Sequence, residues 1–282
     1  MTAKILDGRA MALELRSELR EDVARYVVER GQAPGLVIVR VEGDTASELY
    51  SKAILRIARE IGVHARLELL PAMASSDQLR DTLLQLNIDE TVQGIIVQMP
   101  LPAHLSQDLI AKTIAAEKDI DGISVQNAGA LLLGLPGLLP STAAAVMEIF
   151  ERSKIALAGK HVVMLGRSNV VGKPLGLLLL QQDATVTICH SRTSDLACFT
   201  RQADILIVAV GRPRMVTGDM VRPGAVVIDV GINALPEGGI VGDVDFSTVS
   251  EVASAVTPTP GGVGPFTNVM LLKQCVQAAW KQ

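Results

Sequence analysis

Aromatic side chains are scarce in this chain of 282 residues, which contains four Phe, two Tyr and one Trp. The core must therefore be built from aliphatic side chains. An excess of positive charge is also absent, since the formal net charge is −4, which argues against a nucleic-acid partner or a basic face that docks on membranes. No apolar run approaches the roughly 18 residues of a membrane span. The first residues carry acidic groups and an amphipathic period, which is not the pattern of a secretory signal.

Cysteine and histidine are few and scattered. Cys189, Cys198 and Cys275 form no C-x-x-C pair, and their odd number favours three reduced thiols in a cytoplasmic protein over a disulfide framework. The four histidines have no metal-ligand spacing, so we expect no metal site. Hydrophobic residues, in contrast, make up 49% of the chain, which is typical of a globular protein with one large or two ordinary domains.

Strand and helix signals alternate in the first half of the chain. Strands are predicted at residues 35–42, 65–71 and 94–100, with helices at 44–62, 75–87 and 106–115. This β-α-β-α-β order predicts a parallel sheet with crossover helices. The glycine-rich segment 118–140 is poor in period and is interpreted as loop and domain crossing.

The second half repeats the alternation. Strands are predicted at residues 161–165, 184–189, 204–210 and 225–231, with helices at 141–153 and 267–280 and a short edge strand within 238–246. We therefore predict an α/β fold of two lobes with a cleft between them. The N-terminal substrate domain would comprise residues 1–140 plus 266–282, because the last helix returns to it. A Rossmann-like domain would comprise residues 141–265.

The segment from Lys160 to Pro174 combines a buried strand, a glycine turn and the start of a helix near Lys173 or Pro174. Such a turn is a natural phosphate cradle, because unpaired amides and the positive end of the helix dipole point into it. The spacing is G-R-S-x-x-x-G and not the G-x-G-x-x-G of the ordinary dinucleotide fingerprint. A plain strand-to-helix turn is the alternative.

Polar residues also follow the next strand, at the position where a Rossmann-like unit contacts the ribose of its nucleotide. NAD selectivity requires an acidic residue there, whereas Ser191 and Arg192 suit a 2′-phosphate. Arg167 in the glycine turn adds a second cation. These residues favour NADP over NAD, with an exposed polar loop as the alternative.

Other polar residues lie where strands of the first half end. Gln98 ends its strand, and Asp119 and Asp121 lie in the loop KDIDG. Tyr50 lies within the helix 44–62, and the helix alone predicts a half-buried packing residue. Lys52, two positions further on, points away from Tyr50.

Seven motifs stand together in the order of a known family. They are VQMPLP (97–102), KDIDG (118–122), GRSNVVGKP (166–174), CHSRT (189–193), VAVGRP (208–213), VIDVGIN (227–233) and PGGVGPFT (260–267). The chain resembles the bifunctional methylenetetrahydrofolate dehydrogenase/methenyltetrahydrofolate cyclohydrolase family from its first helix to its last. The resemblance implies NADP-dependent oxidation of 5,10-methylenetetrahydrofolate, followed by hydrolysis of the methenyl product to 10-formyltetrahydrofolate. It also implies a cytoplasmic homodimer in the one-carbon metabolism that serves purine biosynthesis.

The resemblance further implies roles for residues at matching positions. Gly166, Arg167 and Ser168 match the family's cofactor turn, Ser191 matches a 2′-phosphate contact, and Ile232 matches the residue beside the nicotinamide.

On the substrate side, Asp121 matches the carboxylate that holds the pterin ring, Gln98 matches the catalytic-site glutamine, and Tyr50 becomes a residue stacked on the folate. Gly261, Gly262 and Pro265 match the loop that lines the substrate.

One position departs from the family pattern Tyr-x-x-x-Lys, because Ile54 occupies the lysine position. The family lysine is assigned the proton handling of the cyclohydrolase step, and isoleucine can neither exchange a proton nor donate a hydrogen bond. We therefore predict that dehydrogenase activity survives better than cyclohydrolase activity. One alternative is a paralogue that binds folate and nucleotide as a sensor or partner subunit. Another is a two-lobed dehydrogenase of amino or keto acids.

Overall fold

A computed structural model of the protein describes residues 2–282. Residues up to Leu13 form one compact unit with Thr142–Thr267, and Glu14–Ser141 form the other with Asn268–Gln282. All neighbouring strands of the two larger sheets run parallel. The predicted α/β class with parallel sheets is thus confirmed.

Strands and helices alternate along most of the chain. The first part contains β1 (Lys4–Ile5), α1 (Gly8–Arg30), β2 (Gly35–Val41), α2 (Thr45–Ile61), β3 (His64–Leu70), α3 (Ser76–Ile88), β4 (Gly94–Val97), α4 (Gln107–Thr113), α5 (Val125–Leu133) and α6 (Ser141–Arg152). The second part contains β5 (His161–Leu165), α7 (Gly172–Gln181), β6 (Thr185–Cys189), α8 (Leu196–Thr200), β7 (Ile205–Val208), β8 (Val226–Asp229), β9 (Asn233–Ala234), β10 (Ile240–Val241), α9 (Phe246–Val249), β11 (Ala255–Val256) and α10 (Val263–Lys281).

The unit that contains β2, β3 and β4 is a three-stranded sheet in the order β3-β2-β4. Helix α2 follows β2 and begins and ends where its sequence predicts. The Asp44 carboxylate accepts a hydrogen bond from the Ser47 N–H at 2.6 Å and so caps the first turn. Gly62 ends the helix with φ +90°, a conformation that glycine adopts without strain.

The interpretation of residues 118–140 as loop throughout is wrong over the nine residues of α5. The Ser124 hydroxyl accepts a hydrogen bond from the Asn127 N–H at 3.1 Å, and Gly134 ends the helix with φ +68°. Both are ordinary capping signals. The glycines of this segment hid them, because so short a helix leaves little room for an apolar period.

The other unit contains a six-stranded sheet in the order β1-β11-β8-β7-β5-β6. Its four longest strands, β5 to β8, are those the sequence predicts, whereas the two-residue strands β1 and β11 were not predicted. The expected edge strand within 238–246 does not extend this sheet. Gly238 and Gly239, both with positive φ, turn the chain back, so that β10 pairs with β9 in a separate two-stranded sheet.

Within residues 2–282, no helix combines the length and the apolar character needed to cross a bilayer. Cys189, Cys198 and Cys275 are all free thiols.

Candidate functional site

The glycines of the turn after β5 allow its backbone to lie in close contact with neighbouring carbonyl groups. Gly166 has φ +120°, and a Cβ there would lie 2.2 Å from the Ala209 carbonyl oxygen. A Cβ at Gly172 would lie 2.2 Å from the Gly166 carbonyl oxygen. The Ser168 hydroxyl accepts a hydrogen bond from the Val171 N–H at 3.1 Å, just before α7 begins. The turn thus leads directly into a helix N-terminus, where free amides favour an anion.

A cavity of about 280 Å³ opens beside this turn. Among the residues predicted for the cofactor, Gly166, Arg167 and Ser191 line it together, whereas Ser168, Arg192 and Ile232 do not. The full lining is Leu165, Gly166, Arg167, Cys189, His190, Ser191, Leu196, Ala209, Val210, Arg212 and Met215. Two guanidinium groups in one wall suit a ligand with several phosphates.

Of the other predicted cofactor residues, Ser168 and Arg192 adjoin lining residues in the sequence, whereas Ile232 lies further along the chain. Arg192 is exposed, and its backbone N–H donates to His190 Nδ1 at 3.1 Å. Ile232 is 59% exposed, which is unusual for isoleucine. Its Cδ1 lies 3.0 Å from the point where a Cβ of Gly264 would stand, so the segment PGGVGP packs against it.

The loop of Val210, Gly211 and Arg212 follows β7 and contributes to the cavity wall. It lies within the motif VAVGRP, but no role was predicted for these residues from the sequence. The wholly buried Asp243 carboxylate holds this loop. Its Oδ2 accepts the N–H groups of Val210 at 2.6 Å and Gly211 at 2.9 Å. Its Oδ1 accepts the Arg212 N–H at 2.8 Å and the Asn233 side-chain amide at 2.9 Å. One carboxylate therefore fixes three successive peptide groups.

Hydrogen bonds to the Asp229 carboxylate fix the backbone at Asp243. The Asp229 carboxylate accepts backbone hydrogen bonds from Gly231 at 2.9 Å, Asp243 at 3.0 Å and Val244 at 3.1 Å. Burial raises the pKa of Asp229 to about 6, although these hydrogen bonds act in the opposite direction. The position of Asp243 is thus fixed by the end of β8. The sequence signal that could have pointed to this loop is its place at the carboxyl end of a parallel strand.

The segment PGGVGP contains the predicted substrate-loop residues Gly261, Gly262 and Pro265. Gly261 has φ +115° and its carbonyl oxygen accepts the Arg9 N–H at 3.1 Å. A Cβ at Gly262 would lie 2.6 Å from the Pro258 carbonyl oxygen. Pro265 lies in the first turn of α10, where the missing N–H of proline costs nothing. Helix α10 therefore begins at Val263, four residues before its predicted start.

Two of the three predicted substrate residues of the other unit interact with each other. Tyr50 is half-buried on α2, as the helix alone predicts. Burial raises the pKa of the Tyr50 hydroxyl, and the charge of Asp121 raises it further.

Asp121 has the most strongly perturbed carboxyl group of this unit. Burial raises the pKa of Asp121 to about 7, the charge of Asp119 adds to this rise, and hydrogen bonds with Ser141 oppose it. Asp119 is wholly buried and accepts the Ser124 N–H at 2.7 Å and the Asn127 side-chain amide at 3.0 Å. Asp119 therefore orders the loop that presents Asp121.

No cluster of three or more His, Cys, Asp or Glu side chains in the described part of the chain is arranged to hold a metal ion.

Comparisons with known proteins identify the family of this chain. The family model of the tetrahydrofolate dehydrogenase/cyclohydrolase NAD(P)-binding domain matches residues 140–282, and that of the catalytic domain matches residues 6–121. The bifunctional protein FolD of Roseiflexus sp. (strain RS-1) is 49% identical over 282 residues, which is 100% of this chain and 98% of the relative. The chain belongs to the tetrahydrofolate dehydrogenase/cyclohydrolase family.

Solved structures of the family share the fold over nearly the whole chain. The bifunctional FolD enzyme from Campylobacter jejuni is 41% identical with a TM-score of 0.97, and 99% of each chain is covered. The Trypanosoma brucei methylenetetrahydrofolate dehydrogenase-cyclohydrolase, solved with NADP cofactor and an inhibitor, is 36% identical with a TM-score of 0.95, covering 100% of this chain and 98% of that one.

Position 54, which the sequence resemblance matches to the family's lysine, carries an apolar side chain. Ile54 is wholly buried on α2, one turn after Tyr50. Lys52 is 67% exposed and pairs with Glu48 at 2.6 Å, so it points away from the buried face of the helix. Gln98 is 4% exposed, and its Nε2 has no hydrogen-bond partner among the residues that the structure describes. A buried amide donor without an acceptor is uncommon in folded proteins.

Proposed function

We propose that this chain oxidises 5,10-methylenetetrahydrofolate to 5,10-methenyltetrahydrofolate with NADP⁺, and that its cyclohydrolase activity is weak. The observation that carries this proposal is the wholly buried Ile54 at the lysine position of an otherwise complete set of family motifs. The intact cofactor turn and substrate loop support the dehydrogenase activity. The absence of a lysine amine at position 54 supports the weak cyclohydrolase activity.

The residues around the cavity fit NADP. Gly166 and Ser168 shape a turn in which the phosphates would contact the N-terminus of α7. Arg167, Ser191 and Arg192 would hold the 2′-phosphate, since a guanidinium can pair with two phosphate oxygens at once. The exposed apolar side chain of Ile232 would lie against the nicotinamide. When bound, NADP⁺ supplies the hydride acceptor, and the protein supplies position and a dry surface.

Folate contacts are proposed for the residues that match the family's substrate motifs. In its ionised form, the Asp121 carboxylate would accept hydrogen bonds from the ring N–H groups of the pterin. Tyr50, whose hydroxyl stays protonated at neutral pH, would stack on the substrate, and Gln98 would contact it. Gly261, Gly262 and Pro265 would line its path, because a glycine segment leaves room for a flat ligand.

Hydrolysis of the methenyl product requires proton exchange at the reacting water, and position 54 cannot supply it. General acid–base help typically contributes ~10²–10⁴-fold to a rate, so we expect a loss of this size. Lys52 does not replace the amine, because it pairs with Glu48 on the exposed side of α2.

A paired assay on one preparation tests the proposal. NADP-dependent oxidation of 5,10-methylenetetrahydrofolate is measured first, and then the nucleotide-free decay of 5,10-methenyltetrahydrofolate above the buffer rate. We expect clear oxidation and little hydrolysis. Normal hydrolysis would show that another group, or water alone, handles the proton.

The variant Ile54→Lys tests whether Ile54 is the cause of weak hydrolysis. It should raise hydrolysis by at least tenfold, because an amine in an apolar site has a lowered pKa and can exchange a proton near neutrality. Ile54→Met is the matched control, since it has a similar length and no titratable group. Equal hydrolysis in the two variants would show that position 54 is not the cause.

The sensor or partner-subunit alternative predicts a different result in the same assays, namely folate binding without any nicotinamide reduction. Family membership over the whole chain favours the enzyme. It also removes the basis for a dehydrogenase of amino or keto acids.

We further propose a cytoplasmic homodimer that acts in the one-carbon metabolism serving purine biosynthesis. We also propose that the functional domains are residues 1–140 plus 266–282 for folate and 141–265 for NADP. The motifs of the family, present in order, support these assignments.

A further inference from the structure

A charged residue interrupts the apolar strand β2 beside Gln98. The strand sequence is GLVIVRV, and Arg40 is its sixth residue. Val39 of β2 is the register partner of Val97 of β4, and the Gln98 N–H donates to the Val39 carbonyl oxygen at 2.8 Å. Arg40 and Gln98 are therefore neighbours on adjacent parallel strands.

Their side chains leave the sheet on the same face. Val39, Val41 and Val97 belong to one core cluster on the opposite face. Since side chains alternate along a strand, Arg40 and Gln98 must point to the other face. The guanidinium confirms this direction, because its Nη1 lies 3.8 Å from Oε2 of Glu48 on α2. Helix α2 is also the element that carries Tyr50 and Ile54.

Both side chains are buried, and each has one nitrogen donor without an acceptor. Arg40 is 9% exposed and Gln98 is 4% exposed. In the described part of the chain, Arg40 Nε and Gln98 Nε2 have no hydrogen-bond partner. The ion pair with Glu48 involves only Nη1 of the guanidinium, at 3.8 Å. Leaving a buried donor unpaired is costly, so two such donors on neighbouring residues of one sheet face indicate that an acceptor arrives from outside the chain.

We propose that Arg40 and Gln98 form a donor pair that binds a carbonyl oxygen of the folate substrate. This inference rests on the proposed function, and it adds a substrate-binding residue, Arg40, that the family motifs do not contain. The pterin ring carries N–H donors for Asp121 and also a carbonyl acceptor, so a donor pair complements a carboxylate within one ring system. A guanidinium offers donors and no acceptor, so the role of Arg40 is to bind and orient the substrate.

Arg40→Met tests the donor pair in the full-length protein. It keeps the length and apolar stem of the side chain and removes every donor. We expect the KM for 5,10-methylenetetrahydrofolate to rise roughly 10- to 100-fold, as for loss of a buried hydrogen bond from a charged group, and the KM for NADP⁺ to change less than twofold. Arg40→Lys should recover part of the loss. Arg66→Met is the matched control, because Arg66 lies on β3, is 46% exposed and pairs with Asp89.

Equilibrium binding of tetrahydrofolate separates failure of this inference from failure of the proposed function. If the wild-type protein is active and Arg40→Met has an unchanged KM, the donors are held by buried water and the donor pair is refuted. If the wild-type protein binds tetrahydrofolate without oxidising the substrate, the proposed function fails, and weaker binding by Arg40→Met still supports the pair. If Arg40→Met does not fold, Arg40→Leu takes its place, because leucine suits the apolar strand β2 and has no donor, and an unchanged KM in that variant refutes the pair.

Discussion

The cofactor loop of Val210, Gly211 and Arg212 depends on one carboxylate, and Asp243→Asn is the smallest change that tests this dependence. The substitution keeps the size and shape of the side chain and replaces one acceptor oxygen by an amide donor. In either orientation of the new amide, two of the four donors that now meet Asp243 lose their acceptor.

The size of the effect follows from this count. Each buried donor left without a partner costs about 1–3 kcal/mol, so two of them cost about 2–6 kcal/mol in the ordered loop. The loop can avoid this cost by opening into solvent, and NADP⁺ binding must then close it again. At 1.4 kcal/mol for each factor of ten, the lower bound corresponds to about 30-fold weaker NADP⁺ binding.

Titration of NADP⁺ by calorimetry, with tetrahydrofolate binding measured on the same samples, is the assay. NADP⁺ affinity should fall about 30-fold or more, while tetrahydrofolate binding stays within twofold. Asp219→Asn is the control, because the Asp219 side chain is 74% exposed in the same unit. A folded Asp243→Asn protein with wild-type NADP⁺ affinity would refute the reasoning, since it would show that the loop does not need the carboxylate.

Two further predictions concern Asp121 and the glycine turn. Because burial raises the pKa of Asp121 to about 7 and substrate binding uses the ionised form, the KM for 5,10-methylenetetrahydrofolate should fall as pH rises through about 7. Asp121→Asn should have a high KM without this pH dependence, and a wild-type KM that is flat from pH 6 to 8 would contradict the assignment. Gly166→Ala should abolish measurable NADP⁺ binding, because its Cβ would lie 2.2 Å from a carbonyl oxygen. The control is Gly159→Ala, which has positive φ but no atom within 4 Å of the new Cβ; equal NADP⁺ affinity in the two variants would show that the close approach is not needed.

Sequence patterns predicted the parts of the fold that depend on local signals. Helix α2 was placed within a residue because Asp44 and Gly62 are strong capping residues. The strands β1 and β11 were missed because two residues carry no period, and their pairing depends on partners more than 200 residues apart. Helix α5 was missed because Gly129 within it and the glycines on either side of it resemble a loop.

For the candidate site too, sequence patterns predicted some residues and missed others. Gly166, Arg167 and Ser191 were predicted from their place beside strand ends, and they line one cavity. Asp243 was not predicted, since its role comes from contacts with a loop about thirty residues earlier in the chain. Arg40 had a sequence signal, a single charge within an apolar strand, but its meaning depends on the register that places it beside Gln98.

Arg40 can hold the substrate, whereas Ile54 cannot exchange a proton, and this difference affects the two reactions of the family differently. Hydride transfer requires that substrate and cofactor be held in a fixed geometry, and donors that never titrate, such as a guanidinium and an amide, can do this at any neutral pH. Hydrolysis also requires a group that gains and loses a proton near neutrality. Tyr50 stays protonated because burial raises its pKa, and the Asp121 carboxylate is proposed to bind the pterin ring. Ile54→Lys adds the missing property without removing either donor, so it should restore hydrolysis while leaving oxidation near the wild-type rate. A gain of hydrolysis that came only with loss of oxidation would show that the two reactions compete for the same contacts.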